Sequence, residues 1–305
     1  MNIWERLKNA YASGGFREIA RKSFFHYIYR FNNCITKASV NRKKLQFGLN
    51  QTENRKEKVI VSLTSFPPRF AGIHLTLKSL LLQSEKPDKI IVYLGSDSSR
   101  DQFTQEMLDL EKYGVEYHID ISRNLKSHKK YFYAMQEFEN DVIVTADDDV
   151  YYPSNWLSGL LKSYKKYPNA ASARRVHLMK KNGEELAFYN LWEDQCRRVK
   201  TPSHSLIATG CSGILYPPHC LKSVAFDEAT FQNLCFDADD IWLKCMEVLS
   251  DVPVVWVKNW EVDPPDVRAS NKGSLSSLNV DYRKNDAYLH NVMNHFNIPV
   301  EKFFA

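Results

Sequence analysis

The chain predicts an α/β fold: a mostly parallel sheet flanked by helices, entered through an N-terminal helical arm. Three observations carry this reading. From Lys58 onward, short Val- and Ile-rich runs alternate with amphipathic stretches. The intervals between the runs suit right-handed crossovers, which parallel strands require. One run, Val142-Ile143-Val144, ends on three carboxylates, Asp147, Asp148 and Asp149. That is the edge where such sheets place their ligands.

Taken in order, residues 1–31 carry apolar positions at helical spacing. Ile3, Trp4, Leu7 and Tyr11 form one set; Phe16, Ile19, Phe24, Ile28 and Phe31 form a second after Gly14-Gly15. Two short basic amphipathic helices are expected. A membrane interface with acidic lipid is the favoured partner; packing on the body or on a second subunit is the alternative. Residues 41–58 read as a polar linker. Val59 to Leu63 is the first strand, Thr64 to Arg69 a tight loop, and Ile73 to Gln83 a helix. Ile90 to Leu94 is the second strand, and Gln102 to Tyr113 a helix. Val115 to Ile121 is the third strand, Lys129 to Phe138 a helix, and 142–144 the fourth strand. A helix begins near Trp156. Ser172 to Met179 is expected as a strand, and Asn190 to Ser205 as a polar loop bearing Trp192. Ile207 to Pro217 reads as a Gly-bearing turn and short strand. Phe236 to Leu249 reads as a helix with acids at its positive end. Val252 to Val257 is a last strand, and Asp281 to Phe296 a C-terminal helix. The expected division is arm and linker over 1–57, catalytic domain over 58–260, and C-terminal loop and helix over 261–305.

Composition is that of a soluble globular protein, with 44% hydrophobic and 25% charged residues in 305. Charge is uneven. Residues 1–58 hold 13 Lys/Arg against 4 Asp/Glu; the rest hold 28 against 32. A basic arm joined to an acidic body points to an anionic partner for the arm. Nothing resembles a nucleic-acid reader, so no nucleic acid is expected. The six cysteines show no C-x-x-C pairing and read as reduced, mostly buried thiols of a cytosolic protein. No signal peptide and no 18-residue apolar run is found.

Carboxylates as close as Asp147, Asp148 and Asp149 repel one another, and a divalent cation on a polyphosphate relieves that repulsion. A solvated turn that caps the next helix is the other meaning of such a run. The wider context favours the first. VIVSLTSFPPRF (Val59 to Phe70), NLKSHKKYFYAMQEF (Asn124 to Phe138), VTADDDVYYPSNWL, and TGCSGILYPP followed by DADDIWLKCM occur in that order. Together they resemble the GT-A nucleotide-sugar glycosyltransferases, nearest to bacterial family-2-like enzymes of surface-polysaccharide (capsule or lipopolysaccharide) assembly. The resemblance covers about residues 58–260 and implies a GT-A, Rossmann-like sheet.

The resemblance also implies roles. Ser62, Thr64 and Arg69 would hold the donor nucleotide, with Arg69 suited to a phosphate. Lys126, Lys129 and Lys130 are candidates for the base or diphosphate. Asp147 and Asp149 form the D-x-D pair: Asp149 would hold Mn²⁺ or Mg²⁺, and Asp147 the ribose or the metal's water. Asp148, beside them on the donor side, is expected to face away and bond the backbone. His290 and Asp263 are candidates for a third ligand. The Gly210–Gly213 turn, Gly213 in particular, would let backbone approach the sugar. Asp240 would be the general base of an inverting transfer, with Asp239 binding the acceptor or tuning it. Tyr216, Trp242 and Trp192 are candidates for stacking on sugar rings, Tyr216 and Trp242 on the acceptor. A nucleotide-sugar donor and a glycan or lipid-linked acceptor are the implied partners. The implied location is the cytoplasmic face of the inner membrane, peripherally attached through 1–31. The Q-x-x-R-W motif of processive synthases is absent, so polymer extrusion is not expected.

Three rivals fit less of the chain. A haloacid-dehalogenase-type phosphatase would put its nucleophile near the domain start and Thr or Val where Tyr151 stands. A nucleotidyltransferase would open on a G-x-G-x-R loop, whereas the first strand here leads to no glycine before Gly72. A decayed, membrane-attached sugar-nucleotide-binding protein would not be expected to keep both acidic clusters.

Overall fold

The computed structural model describes residues 33–258, 264–267 and 284–305, together with Phe24, Tyr27, Ile28, Arg30 and Phe31. Of the arm helices expected over 1–31, residues 1–23, 25, 26 and 29 lie outside the described residues, as does the candidate ligand Asp263.

A helix over 33–42 (α1) precedes the sheet. Seven strands form that sheet: β1 (Val59–Thr64), β2 (Lys89–Leu94), β3 (Val115–Ile119), β4 (Val142–Ala146), β5 (Ala171–Ala173), β10 (Ile214–Tyr216) and β11 (Val254–Trp256). Their order is β11-β5-β10-β4-β1-β2-β3. All pair in parallel except β10, which runs against both β4 and β5, with Ile214 opposite Thr145 and Ala173. Four short strands stand apart: β6 (Val176–Leu178) pairs β9 (Leu206–Ala208), and β7 (Lys181–Asn182) pairs β8 (Glu185–Leu186).

The expected mostly parallel α/β sheet is therefore the observed one. β1, β2 and β4 are buried on both faces because helices cover both. α2 (Phe70–Leu81), α3 (Gln105–Glu111) and α5 (Trp156–Lys166) pack with Val59, Val61, Leu63 and Val144. α4 (Lys129–Glu137) covers the opposite face, where Ile60, Ile91 and Ile143 point. α6 (Glu228–Cys235), α7 (Asp239–Leu249) and α8 (Lys284–Phe296) build a second core around Trp242, Phe231 and Val292.

The topology makes one crevice. From β1 the chain winds outward through β2 to β3. α4 then carries it back across the sheet to β4 on the other side of β1. The loops leaving β1 and β4 diverge, and such a switch point is where open α/β sheets bind ligands. The β1 loop is stiffened by Pro67 and Pro68, which start a 3-10 turn over Pro67–Arg69. That turn runs straight into α2, so the helix begins three residues before the expected Ile73.

Three regions differ from expectation. Residues 172–179 divide into β5 and β6 in separate sheets. The division falls at Arg174, which is buried and donates Nη2 to the carbonyls of Asn155 and Trp156 at the start of α5. α6 is an added helix, capped by Asp227, whose carboxylate accepts from Thr230 N. The polar loop is anchored by Trp192, whose Nε1 donates to Ala187 O at 2.7 Å beneath a buried ring. All six cysteines are free thiols, and Cys34 is exposed.

Gly213 has φ +90°, and a Cβ there would lie 2.4 Å from the Trp156 ring. Gly213→Ala should therefore destabilise the fold by about 2–4 kcal/mol, from backbone strain plus overpacking. Urea unfolding against the wild type measures this; an unchanged midpoint would remove the constraint.

Candidate active site

β4 delivers Asp147, Asp148 and Asp149 into the crevice, and the turn sends each a different way. Asp147 N donates to Tyr152 Oη at 2.8 Å, which fixes the first step beyond the strand. Asp148 turns inward and is only 4% exposed. Its carboxylate accepts from Ser65 Oγ and from Arg69 Nη1, both on the β1 loop. Its carbonyl accepts from Thr76 Oγ1 at 2.9 Å. Burial pushes the Asp148 carboxyl up, against the pull of Arg69 and Ser65. The expectation that Asp148 bonds backbone and meets the donor is corrected: it is a buried tie between the β1 and β4 loops. Asp149 stays 39% exposed and meets Arg69 Nη1 at 3.0 Å. Burial first, then repulsion from Asp147, pushes its carboxyl up to about 6.

A second acidic group arrives from α7. Asp239 and Asp240 occupy its first turn, where the helix dipole favours negative charge. Asp239 is buried. Asp240 accepts from Gly210 N through both oxygens, at 3.1 and 3.2 Å. A Cβ on Gly210 would meet Lys130 Nζ at 2.7 Å and Asp240 Oδ1 at 3.1 Å. The missing side chain leaves room for both groups against this backbone.

Lys130 joins the two groups. It is buried at the start of α4, and its Nζ lies 3.1 Å from Asp147 Oδ1 and 2.9 Å from Asp239 Oδ2. Those two legs cap the separation of the carboxylate oxygens at about 6 Å. Burial alone would discharge this lysine, but Asp147, Asp239 and Asp240 together hold its pKa well above the usual value. Asp239 is opposed by burial, yet Lys130 holds it below the ordinary carboxylate range. Asp240 goes the other way: burial first, then the charge of Asp239, push it up to about 7. Two adjacent carboxylates thus acquire different proton affinities, which is how a site separates a fixed charge from a proton acceptor.

The structure therefore gathers Arg69, Lys130, Asp147, Asp149, Asp239 and Asp240 around one crevice. Other candidates are committed elsewhere. Ser62 is fully buried and donates Oγ to Lys130 O at 2.5 Å, so it positions α4 and cannot reach a nucleotide. Thr64 Oγ1 donates to Tyr93 O at 2.8 Å. Lys126 pairs with Asp237 at 2.6 Å and lies over Phe236. Lys129 meets Asn124 Oδ1, and burial pushes it down to about 8. Gly213 is buried against Trp156 and cannot face a sugar. Tyr216 and Trp242 are fully buried core residues, and Trp242 Nε1 donates to Ala225 O at 3.0 Å. Acceptor stacking by either is ruled out by that burial. His290 is exposed on α8. Arg175 adjoins the site through Thr209 and Cys211, on either side of Gly210, and no motif points to it; Gly210 itself lies in the expected glycine turn.

Among the described residues, cavities of 560 and 740 Å³ lie beside Tyr93 and Tyr133 and along α5. Neither is lined by any of the five acids above, so charge and hydrogen bonding, not cavity size, locate the site.

Residues 69–219 match the family described as Glycosyl transferase family 2. The span begins at Arg69, contains the Asp147–Asp149 turn and Gly210, and stops short of Asp239 and Asp240. Among solved structures, the chain is similar to the mannosyltransferase PcManGT from Pyrobaculum calidifontis in complex with GDP-Man and Mn²⁺. Identity is 13%, coverage 94% of this chain and 77% of that chain, and the TM-score 0.48. It is also similar to a 4-diphosphocytidyl-2C-methyl-D-erythritol synthase, at 12% identity, 76% and 99% coverage and a TM-score of 0.39. No curated protein matches the chain.

Arg69→Met should leave Asp148 as a buried charge without its cation, destabilising the fold by about 3 kcal/mol. The loss should shrink at acid pH, where Asp148, already pushed up by burial and more so without Arg69, is neutralised. Chemical denaturation at pH 7.5 and 3.5 tests this; equal losses at both would discard the ion pair as the cause.

Proposed function

We propose that this chain, a glycosyltransferase carrying a glycosyl transferase family 2 domain, uses divalent metal to move one sugar from a nucleoside-diphosphate sugar to a glycan or lipid-linked acceptor. The reaction proposed is a single displacement with inversion. The observation that carries this is Lys130, which bridges Asp147 at the end of β4 and Asp239 at the start of α7. It holds one acid of the β4 turn and one acid at the start of α7 within about 6 Å of each other.

Asp240 is the proposed base. An acceptor hydroxyl beside it loses its proton to the carboxylate as the oxygen attacks the anomeric carbon. The bond from that carbon to the diphosphate breaks in the same step, and the nucleoside diphosphate leaves. Gly210 N–H holds the Asp240 carboxylate in place through this step. Asp239 remains charged against Lys130 and keeps the proton affinity of Asp240 high. Arg69 sets the Asp149 carboxylate at the crevice.

Asp149 and Asp147 fit the role of holding Mn²⁺ or Mg²⁺. They are oxygen donors, partly exposed and mutually repelling. Among the described residues no group of three or more His, Cys, Asp or Glu could hold an ion alone. Two carboxylates completed by substrate phosphate oxygens and water is a usual environment for such cations. When bound, the ion would neutralise the charge developing on the diphosphate.

The setting proposed is bacterial surface-polysaccharide assembly, on the sequence resemblance. Peripheral attachment to the cytoplasmic face of the inner membrane is proposed through residues 1–31, from their basic amphipathic pattern. Among the described residues no helix is long and apolar enough to cross a membrane.

Asp240→Asn should lower kcat by about 10²- to 10⁴-fold, the range for losing a general base, with nucleotide affinity unchanged. In the wild type, kcat/KM should rise with pH and level off above about 7, because only the deprotonated carboxylate accepts a proton. Nucleoside-diphosphate release across pH 5–9 measures both, and a fully active variant would remove Asp240 as base. Asp149→Ala should weaken donor binding in the presence of Mn²⁺ and leave it unaltered in chelator; calorimetric titrations identical in both conditions would discard the metal role.

A further inference from the structure

With Tyr216 and Trp242 in the core, the acceptor side of the crevice must be built from other residues. We infer that Tyr189, Arg175 and Asp194 form the acceptor subsite and select a neutral, hydroxyl-bearing sugar over a phosphorylated or carboxylated one. This rests on Asp240 being the proton acceptor of a glycosyl transfer.

Arg175 is tied to the turn that holds Asp240. Its Nη1 donates to Thr209 Oγ1 at 3.2 Å and to Cys211 Sγ at 3.6 Å, on either side of Gly210. Its carbonyl accepts from Thr209 N at 3.1 Å. The guanidinium is therefore anchored to the two residues flanking the N–H that positions the base. Its other nitrogen, Nη2, meets Asp194 Oδ1 at 3.3 Å, and Asp194 remains 71% exposed. His177 Nδ1 lies 3.0 Å from the same oxygen.

Tyr189 adjoins this cluster through His177. Its ring rests on Trp192 at 4.8 Å and edge-on to His177 at 5.9 Å, and Trp192 is itself anchored. Its backbone N–H donates to Asp286 Oδ1 at 2.7 Å, fastening the loop to α8. Among the described residues its hydroxyl makes no hydrogen bond. The ring's neighbour His177 meets Asp194, and Asp194 meets Arg175, so the ring belongs to the cluster that reaches the Gly210 turn. Phe188 and Leu191 flank it with exposed apolar surface.

An aromatic face on a rigid base, beside a planar guanidinium and a carboxylate, suits a sugar. Ring C–H groups pack on the aromatic face, while neighbouring hydroxyls donate to the carboxylate and accept from the guanidinium. Net charge sets the selectivity. Asp194 offsets Arg175, so the pair offers an added phosphate or carboxylate no net attraction, and Asp240 repels one once it is deprotonated.

Saturation-transfer NMR on the full chain tests this directly, in the presence and absence of UDP or GDP with Mn²⁺. The neutral probes are methyl glycosides of hexoses; the anionic probes are glucuronate and glucose 6-phosphate. The wild type should bind a neutral glycoside and reject the anionic sugars. Tyr189→Ala should weaken that binding roughly tenfold, as expected for a lost ring contact, while Tyr189→Phe keeps it within about threefold. Asp194→Ala, at a 71% exposed position, should shift preference toward glucuronate by roughly fivefold. The subsite is overturned if the wild type binds no neutral glycoside, if it prefers the anionic probes, or if Tyr189→Ala and Asp194→Ala both bind as the wild type does. Failure of UDP and GDP to bind the wild type would count against the glycosyl-transfer reading instead, and the glycoside arm would still decide the subsite.

Discussion

A buried ammonium among acids from two other elements is the constraint on which this structure depends. Lys130 is carried by α4, Asp147 by the end of β4, and Asp239 by α7. Removing any of these charges from water costs several kcal/mol per ion, so each is tolerable only because the others are present. Without the ammonium, Asp239 and Asp240 would be uncompensated beside Asp147 and would have to take up protons. Ser62 extends the constraint into the sheet by bonding the carbonyl of Lys130. The parallel sheet and the second core around α7 are thereby held in fixed relation at the one place where both contribute to the site.

The same lysine divides labour between neighbours in sequence. Asp239 takes the ion pair and stays charged; Asp240 takes only a backbone N–H and a repelling neighbour. A corresponding division occurs in the Asp triplet. Asp148 is spent on Arg69 and Ser65, and Asp147 and Asp149 keep exposed oxygens. In each cluster one acid is fixed by structure so that another is left open to solvent or substrate.

How much of this was legible in the sequence depends on what each signal reports. Strands such as Val59–Thr64 and Val142–Ala146 were readable because apolar runs bounded by polar residues have few other meanings. The two acidic clusters and the glycine turn were readable for their chemistry. Facing was not. Ser62 and Tyr216 lie on strands buried on both faces, where two-residue periodicity no longer separates core from cleft. Trp242 comes two residues after Asp240 on α7, and those two steps of about 100° each turn it into the core. Which of three consecutive acids points inward is decided by Tyr152 and the β1 loop, and neither is local. The 190–205 segment looked like a polar loop because Trp192, which anchors it, is a single apolar residue among many polar ones.

β10 is the one strand of the main sheet that runs against its neighbours. Its beginning therefore lies level with the ends of β1 and β4, and the segment leading into it, not the one leaving it, borders the crevice. The connection after Tyr216 emerges at the far rim. Relatives could lengthen or rebuild that outgoing connection without disturbing chemistry, whereas a single residue inserted between Ala208 and Ile214 would shift Gly210 and with it the grip on Asp240.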